Sequence, residues 1–496
     1  MSVIRRNEQT VGMQARGEVV IKPPYPGLIP YSENDANLFF GRITETRLVI
    51  ANLSATRLTL FYGESGVGKS SVLQAGVLHT LKSNPDVLGV YFNKWRGNPC
   101  ANLKATIAEA ATAAVGSDLT LNQALPLDEY LAFLSKILKR RLLIILDQFE
   151  EYFLYHSQGE ADEFFQEFPA AVRVDEVPLG FVVSLREDTL SSLDRFEGDI
   201  PILFDNYLRI KHLNLKGARA AIVEPLGVYN NQFAEGVPQA SYEPELVELV
   251  LKELSRKSQE AEDLDAPLKT EQARSSEQLA SSGDLLKIKA PYLQLVMTRL
   301  WTEAARTSLP MMRLATLRKL GGVEKIIDQH LDKSMRGLSW SQRRLATRMF
   351  LYLVTPSGTK KAYTSEELAA LTGASQRKVT NLLDRLSRSD TRILHSFETS
   401  MGQQDRNQHM NYEIYHDFLA QPILAWRTRQ RLNQRLLIMQ LFWALPAFIV
   451  VWLKFVLPEN LSDLSGLIFH LIPWMIIFSI PVAIGFLIGR AVERMR

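Results

Sequence analysis

The chain has 496 residues, too many for one hydrophobic core, and its composition of 46% hydrophobic and 22% charged residues is that of a globular protein. A formal net charge of +3 is too small to mark a nucleic-acid partner by itself. A single cysteine, Cys100, excludes a disulfide framework, argues against a cysteine-based zinc site and fits a reducing cytosol.

Residues 1–23 read as a flexible N-terminal arm that carries Arg5 and Arg6 but no apolar segment of a signal peptide. Pro23, Pro24, Pro26 and Gly27 then impose an extended, turning entry into the first domain. From Arg42 to about Leu215, apolar or β-branched runs alternate with amphipathic stretches. The runs are Leu58–Tyr62, Val87–Phe92, Leu142–Leu146, Phe181–Leu185 and Tyr207–Leu213. This alternation predicts a parallel sheet covered on both faces by helices.

Leu215 to Leu254 reads as helical, and Ser255 to Asp284 as a polar insertion, either mobile or a long solvated helix. Helical periodicity resumes over Pro291–Ala305 and Val323–Met335. Ser341 to Trp426 then gives helix Arg343–Leu353, a capping-box spacing at Thr364 ahead of helix Glu366–Leu371, and helix Ser375–Leu386. Strand-like Ile393–Glu398 and Met410–Tyr415 follow, in the order of a winged helix. The expected domains are nucleotide-binding 24–215, helical 216–338 with its insertion at 255–284, and winged-helix 339–426.

Gly63-Glu64-Ser65-Gly66-Val67-Gly68-Lys69-Ser70 matches the Walker A pattern between an apolar run and a helical one, Ser71–Leu81. Its glycines let backbone N–H groups close around phosphates at a helix N-terminus. Lys69 is expected to reach the β- and γ-phosphates, and the Ser70 hydroxyl to ligate Mg²⁺. Leu142 to Leu146 followed by Asp147 has the layout of a Walker B strand, expected beside the strand that delivers the P-loop, with Asp147 holding Mg²⁺ through water. Either Glu150 or Glu151 could orient an attacking water. Arg186 ends the Phe181–Leu185 run, where it could sense the γ-phosphate or pair with Glu187 or Asp188. No guanine-specifying Asn/Thr-Lys-x-Asp motif follows the P-loop.

These motifs resemble the STAND class of signal-transducing P-loop ATPases, in particular its bacterial novel STAND group. The likeness is carried by Pro24-Tyr25-Pro26-Gly27-Leu28, by Phe39-Phe40-Gly41-Arg42, and by the Walker A helix continuing Ser70-Ser71-Val72-Leu73-Gln74-Ala75-Gly76. It continues in Asp147-Gln148-Phe149-Glu150-Glu151, Ser184-Leu185-Arg186, Pro291-Tyr292-Leu293-Gln294-Leu295 with Leu300-Trp301, and Tyr412-Glu413-Ile414-Tyr415-His416-Asp417. It spans about Pro24 to Trp426. The resemblance implies an α/β P-loop NTPase of the ASCE type, followed by a helical domain and a winged helix. It also implies a switch: ADP with Mg²⁺ holds a closed monomer, and a trigger, a phage protein or a partner sensor, opens it. ATP then replaces ADP and the subunits oligomerise. By the same resemblance Gly41, Arg42 and Pro291 lie near the adenine, Ser71 lies in the nucleotide site, and His416 touches the β-phosphate. The pattern lacks a repeat sensor and an effector domain, which places trigger recognition in the core, the insertion or another protein.

Leu436–Leu457 and Leu464–Gly489 are apolar stretches, each long enough to cross a hydrocarbon core of about 30 Å. A short acidic turn, Pro458 to Asp463, joins them. Arg427, Arg429, Arg431 and Arg435 precede the first in a basic linker at 427–435, and Arg490, Arg494 and Arg496 follow the second. Two such runs predict a transmembrane α-hairpin, and the positive-inside bias puts both termini and the ATPase in the cytoplasm; the resemblance to the bacterial group implies that the membrane is a bacterial inner membrane. Pro446, Pro473 and Pro481 would kink the spans. The hairpin is then the expected output element of an antiphage defence switch. The alternatives are a membrane-anchored DNA-binding regulator reading DNA with Ser375–Leu386, and a constitutive envelope ATPase; nucleic acid is not an expected partner.

Overall fold

The structure is a computed structural model that describes residues 22–116, 122–156, 162–174, 177–232, 239–265, 287–307, 309–355, 360–388, 393–399, 409–415, 419–420 and 422–432. Among the described residues no helix is long and apolar enough to cross a membrane. The expected spans at 436–457 and 464–489 lie outside the described residues, as do His416, most of the N-terminal arm and residues 266–286 of the polar insertion.

Five strands form one parallel sheet: β1 (Leu58–Gly63), β2 (Val87–Phe92), β3 (Arg141–Leu146), β4 (Leu179–Arg186) and β5 (Tyr207–Arg209), in the order β2-β3-β4-β1-β5. Side chains alternate across the sheet with a period of two. Leu142, Ile144 and Leu146 join Phe181 and Val183 against helices Pro99–Val115, Leu127–Leu138 and Glu163–Arg173. Leu143, Ile145 and Val182 turn the other way, against helix α1 (Ile43–Ala55) and the helix that follows the P-loop. With apolar residues required on both faces, these strands read as continuous hydrophobic runs.

One expectation is corrected here. The Walker B strand β3 is not beside β1, because β4 pairs with both, Gly63 opposite Arg186 and Leu146 opposite Val183. This inserted strand is the mark of the ASCE arrangement. The run Tyr207–Leu213 is also shorter than expected. After Ile210 donates to the Tyr62 carbonyl, the chain leaves the sheet, and Leu213 pairs instead with Ile288 of the next domain.

The stretch Leu215 to Leu254 that reads as helical carries α2 (Leu215–Asn230) and the first half of α3 (Pro244–Asp265). Pro244 opens the second helix, and a proline suits a helix's first turn. Helix α3 carries the beginning of the polar insertion, where Ser255 and Ser258 are buried. With α4 (Ala290–Ala304) and α5 (Gly322–Arg336) these helices enclose a second core, built on Ile222, Val250, Val296 and Leu300. The entry segment packs into this core as well: Tyr25 is buried there and its hydroxyl donates to the Ile222 carbonyl at 2.6 Å.

The third core holds α6 (Trp340–Leu353), α7 (Ser365–Thr372) and α8 (Gln376–Ser387), with strands β6 (Tyr363–Thr364), β7 (Leu394–Thr399) and β8 (His409–Ile414). The strands form an antiparallel sheet in the order β6-β8-β7. The capping box expected at Thr364 is formed with Glu367, and a second one, Ser339 with Gln342, starts α6.

Gly41 shows how tightly the first two units meet. Its φ is +86°, and a Cβ there would lie 2.2 Å from the Gly217 carbonyl oxygen at the start of α2. Gly41→Ala is therefore expected to lower stability by roughly 2 kcal/mol or more, read as a fall in the thermal midpoint.

Candidate nucleotide site

The P-loop starts where β1 ends. Gly66 and Gly68 have φ of +74° and +101°, conformations that glycine adopts without a Cβ penalty, and they wrap the loop around the N-terminus of its helix. A Cβ on Gly63 would come within 2.5 Å of the Ile210 carbonyl oxygen, so this position too has no room for a side chain. Lys69 is buried and folds back across the loop, its Nζ donating to the carbonyls of Gly63 at 2.8 Å and Glu64 at 3.1 Å. Ser65 is half-buried at the turn, and Val67 is buried beneath it.

Neighbouring segments brace the loop from three sides. Arg42 is buried and donates to the Val67 carbonyl at 2.8 Å and to Glu45 at 2.5 Å. Burial lowers its pKa, against the pull of Glu45. The Ser71 hydroxyl accepts the Tyr31 N–H at 3.1 Å, which ties the P-loop helix to the entry segment. Pro291, in the first turn of α4, comes so close that a Cβ on Gly66 would lie 3.1 Å from its Cγ. Gly41 and Arg42 thus lie on one side of the loop and Pro291 on another.

Glu64 projects from the loop and pairs with His212 at 3.0 Å. That hydrogen bond holds the Glu64 carboxyl down at about 2, with Lys289 and Lys287 adding to the effect and burial opposing it. His212 was not legible as a site residue, because it lies in the short link between sheet and helical domain with no motif around it.

The sheet's carboxyl edge supplies the acidic groups. Asp147 is fully buried after β3. Its Oδ2 accepts from Tyr91 at 2.7 Å, its backbone oxygen accepts from Trp95 at 2.7 Å, and its Oδ1 has no hydrogen-bond partner. Gln148 then takes φ of +55°, an uncommon left-handed conformation for a non-glycine residue. This turn re-aims the chain, so that Glu150 opens the next helix, Glu150–Tyr155. Glu150 has an unpartnered Oε2, and burial raises its carboxyl above the ordinary range against the pull of Lys69. The neighbouring Glu151 points elsewhere, to Lys360 at 3.2 Å. Ser184 of β4 adds one more buried oxygen without a partner.

Arg186 ends β4 directly beside Gly63 in register, and its guanidinium grips Asp188 through Nε at 2.9 Å and Nη2 at 2.7 Å. Of the two readings open for this arginine, the structure displays the pairing with Asp188.

The third unit, with β6, β7 and β8, meets this edge. Lys360 bridges Glu151 and, at 2.7 Å, Glu413 of β8, with His395 Nδ1 a further 3.8 Å from the same Glu413 oxygen. Arg96 donates to Asn411 and, at 3.0 Å, to the Ala362 carbonyl, and its guanidinium lies over the Tyr155 ring. Burial pushes Glu151 up to about 8, with Glu413 and Glu150 adding to the rise and Lys360 opposing it. Burial works against ionisation of Glu413 too, yet Lys360 and His395 hold its carboxyl below its ordinary value. One cation between two carboxylates therefore favours the protonated form at Glu151 and the charged form at Glu413.

A glycine loop at a helix N-terminus, a buried lysine across it, and an aspartate two strands away at the same sheet edge define a P-loop NTPase. The family model described as Novel STAND NTPase 1 matches residues 24–438. The chain belongs to that family of nucleotide-dependent NTPases. No curated protein matches it. Among solved structures it is similar to the ORC1 protein of Aeropyrum pernix in complex with DNA, at 17% identity, covering 81% of this chain and 95% of that one with a TM-score of 0.38. The ORC2 protein of Aeropyrum pernix in its ADPNP–ADP complexes gives 14% identity, 81% and 94% coverage and a TM-score of 0.38. Cdc6p of Pyrobaculum aerophilum gives 14%, 78% and 95%, and 0.30.

Proposed function

We propose that this protein is an ATP/ADP switch of the STAND type, held closed by its winged-helix domain and acting through a C-terminal membrane hairpin when a trigger opens it. The observation that carries this reading is the Glu151–Lys360–Glu413 cluster. It joins the helix directly after the Walker B strand to the winged unit, so a change at the γ-phosphate edge has a mechanical path to the wing. Opening would free subunits to oligomerise, and the apolar stretches at 436–457 and 464–489 supply the output at a bacterial inner membrane. An antiphage role is the service that a triggered membrane effector of this family would perform.

The residues fit a Mg²⁺–nucleotide. The orphaned Oδ1 of Asp147 and the Ser70 hydroxyl are hard oxygen donors of the kind this ion takes, and Lys69 stands ready for phosphate oxygens. Bound there, Mg²⁺ would neutralise charge on the phosphates. Glu150, with its unpartnered Oε2, would orient the water, and Glu151, paired with Lys360, would serve the interdomain cluster instead. Arg42 and Pro291 would border the base, and His416 would reach the β-phosphate.

Two experiments test this. The full chain purified in mild detergent is expected to release stoichiometric ADP on denaturation and to turn ATP over slowly. An empty site with fast unstimulated hydrolysis would overturn the switch reading. Glu150→Gln is expected to lower single-turnover hydrolysis on the order of 100-fold while nucleotide affinity holds, whereas Glu151→Gln leaves the chemical step within a few-fold of wild type.

A further inference from the structure

Glu64 sets a carboxylate on the loop that receives phosphates, where like charges repel. Its own backbone carbonyl accepts from Lys69 Nζ at 3.1 Å, so the side chain starts beside the ammonium that a nucleotide needs. The carboxylate is engaged elsewhere, its Oε2 lying 3.0 Å from His212 Nε2. Of the two side chains the histidine is the fixed one, 3% exposed against 48% for the glutamate. Its Nδ1 is buried without a hydrogen-bond partner among the described residues. Such a nitrogen suits the unprotonated form, which leaves the proton of the ring on Nε2, aimed at Glu64. His212 therefore holds the charge of Glu64 in place without cancelling it.

His212 also sits on the seam between two domains. Two residues earlier the Ile210 N–H makes its tie to the sheet, donating to the Tyr62 carbonyl at 2.9 Å. One residue later Leu213 ties the chain to the helical domain, exchanging hydrogen bonds with Ile288 at 3.1 and 2.8 Å. A displacement of the helical domain on its link thus reaches the imidazole directly, and through it the P-loop.

We infer that His212 is a positioning residue that pins the Glu64 charge clear of the nucleotide phosphates while the helical domain is docked, and that undocking frees Glu64 to compete with them for Lys69. This rests on the reading of the P-loop as the phosphate site. The freed carboxylate belongs to the residue whose carbonyl already meets Lys69, so that ammonium is its natural partner. A bound nucleotide then loses part of its attraction to Lys69 and meets an unrestrained negative charge. Nucleotide release is thereby tied to movement at the link.

The test follows release of fluorescent ADP from the full chain in detergent, chased with unlabelled ATP. Glu64→Asp keeps the charge but falls short of His212, and is expected to speed release about 10-fold. Glu64→Gln keeps the length and loses the charge, and is expected to slow release a few-fold. Position 64 is half-exposed, so neither change opens a core. His212→Leu is expected to act like Glu64→Asp, and its effect should fall to within a few-fold when Glu64→Gln is added. If Glu64→Asp and Glu64→Gln speed release alike, or both release at the wild-type rate, the inference is overturned. It is overturned equally if His212→Leu speeds release as much with glutamine at position 64 as with glutamate. A wild-type protein that binds no ADP overturns it together with the phosphate-site reading, and that result is told apart because it appears before any substitution.

Discussion

Lys69→Ala is expected to leave the protein without bound nucleotide, weakening ADP on the order of 100-fold or more. The buried ammonium already lies on the loop's inner face, held by the Gly63 and Glu64 carbonyls, and needs only a small displacement to meet a phosphate. Around it stand the buried Asp147, Glu150 with its buried Oε2, and the ionised Glu64 at the loop's edge. Removing the cation turns this pocket against an anionic ligand rather than merely neutral to it. Losing one partner of a buried, hydrogen-bonded charge pair costs about 3 kcal/mol or more, which sets the magnitude. Fluorescent-ADP titration and the nucleotide recovered on denaturation both read it. Affinity within a few-fold of wild type would mean that the loop's backbone N–H groups and helix end suffice without Lys69.

The second large effect is expected at the wing. Lys360→Ala leaves Glu151 and Glu413 facing each other across the domain boundary with no cation between them. Breaking a buried pair in this way costs roughly 3 kcal/mol, enough to shift a closed–open equilibrium by about two orders of magnitude. The measurement is hydrogen exchange in β8 and in the Glu150–Tyr155 helix, together with the rate at which ADP leaves. Faster exchange in both elements and faster ADP loss are the expected outcomes. An unchanged rate with an intact thermal midpoint would remove the cluster from the switch.

The same cluster predicts a pH dependence with a definite sign. Glu151 has a folded pKa raised to about 8, above its ordinary value, so the stabilisation by its protonated form is complete at acidic pH and falls as pH rises through about 8. Ionisation would place a second negative charge beside Glu413, near Glu150 and the Tyr155 phenol, with Lys360 and His395 the basic groups on the opposing side and Arg96 the one on Glu151's own. Closure should therefore weaken from about pH 4.5, the ordinary value, up to about pH 8 and change little above it. Glu151→Gln, which keeps the neutral form at every pH, should remove that dependence while leaving the contact in place.

Much of this molecule follows from local order in the chain. Gly63 to Ser70 between an apolar run and a helix can hardly be anything but a phosphate loop, because no other arrangement uses those glycines, that lysine and that serine together. The apolar strands, the Thr364 cap and the helix–helix–hairpin order of the third unit were likewise readable from period and capping residues. The two apolar stretches at the C-terminus are read from sequence alone.

What sequence could not supply is which distant side chains meet. Asp147 was legible as the end of a buried strand, but the insertion of β4 between β3 and β1 is a matter of strand order, set by crossover connections and not by any residue pattern. Glu150 and Glu151 were equivalent on paper. The left-handed turn at Gln148 and the packing of the wing give one to the phosphate edge and the other to Lys360. Tyr91, His212 and Lys360 carry no motif, and each acquires a role only through a partner at least fifty residues away in sequence, Asp147, Glu64 and Glu151 respectively. Period and capping are local forces that a chain displays in its own order; charge pairing and burial across domains arise only when the cores close on each other.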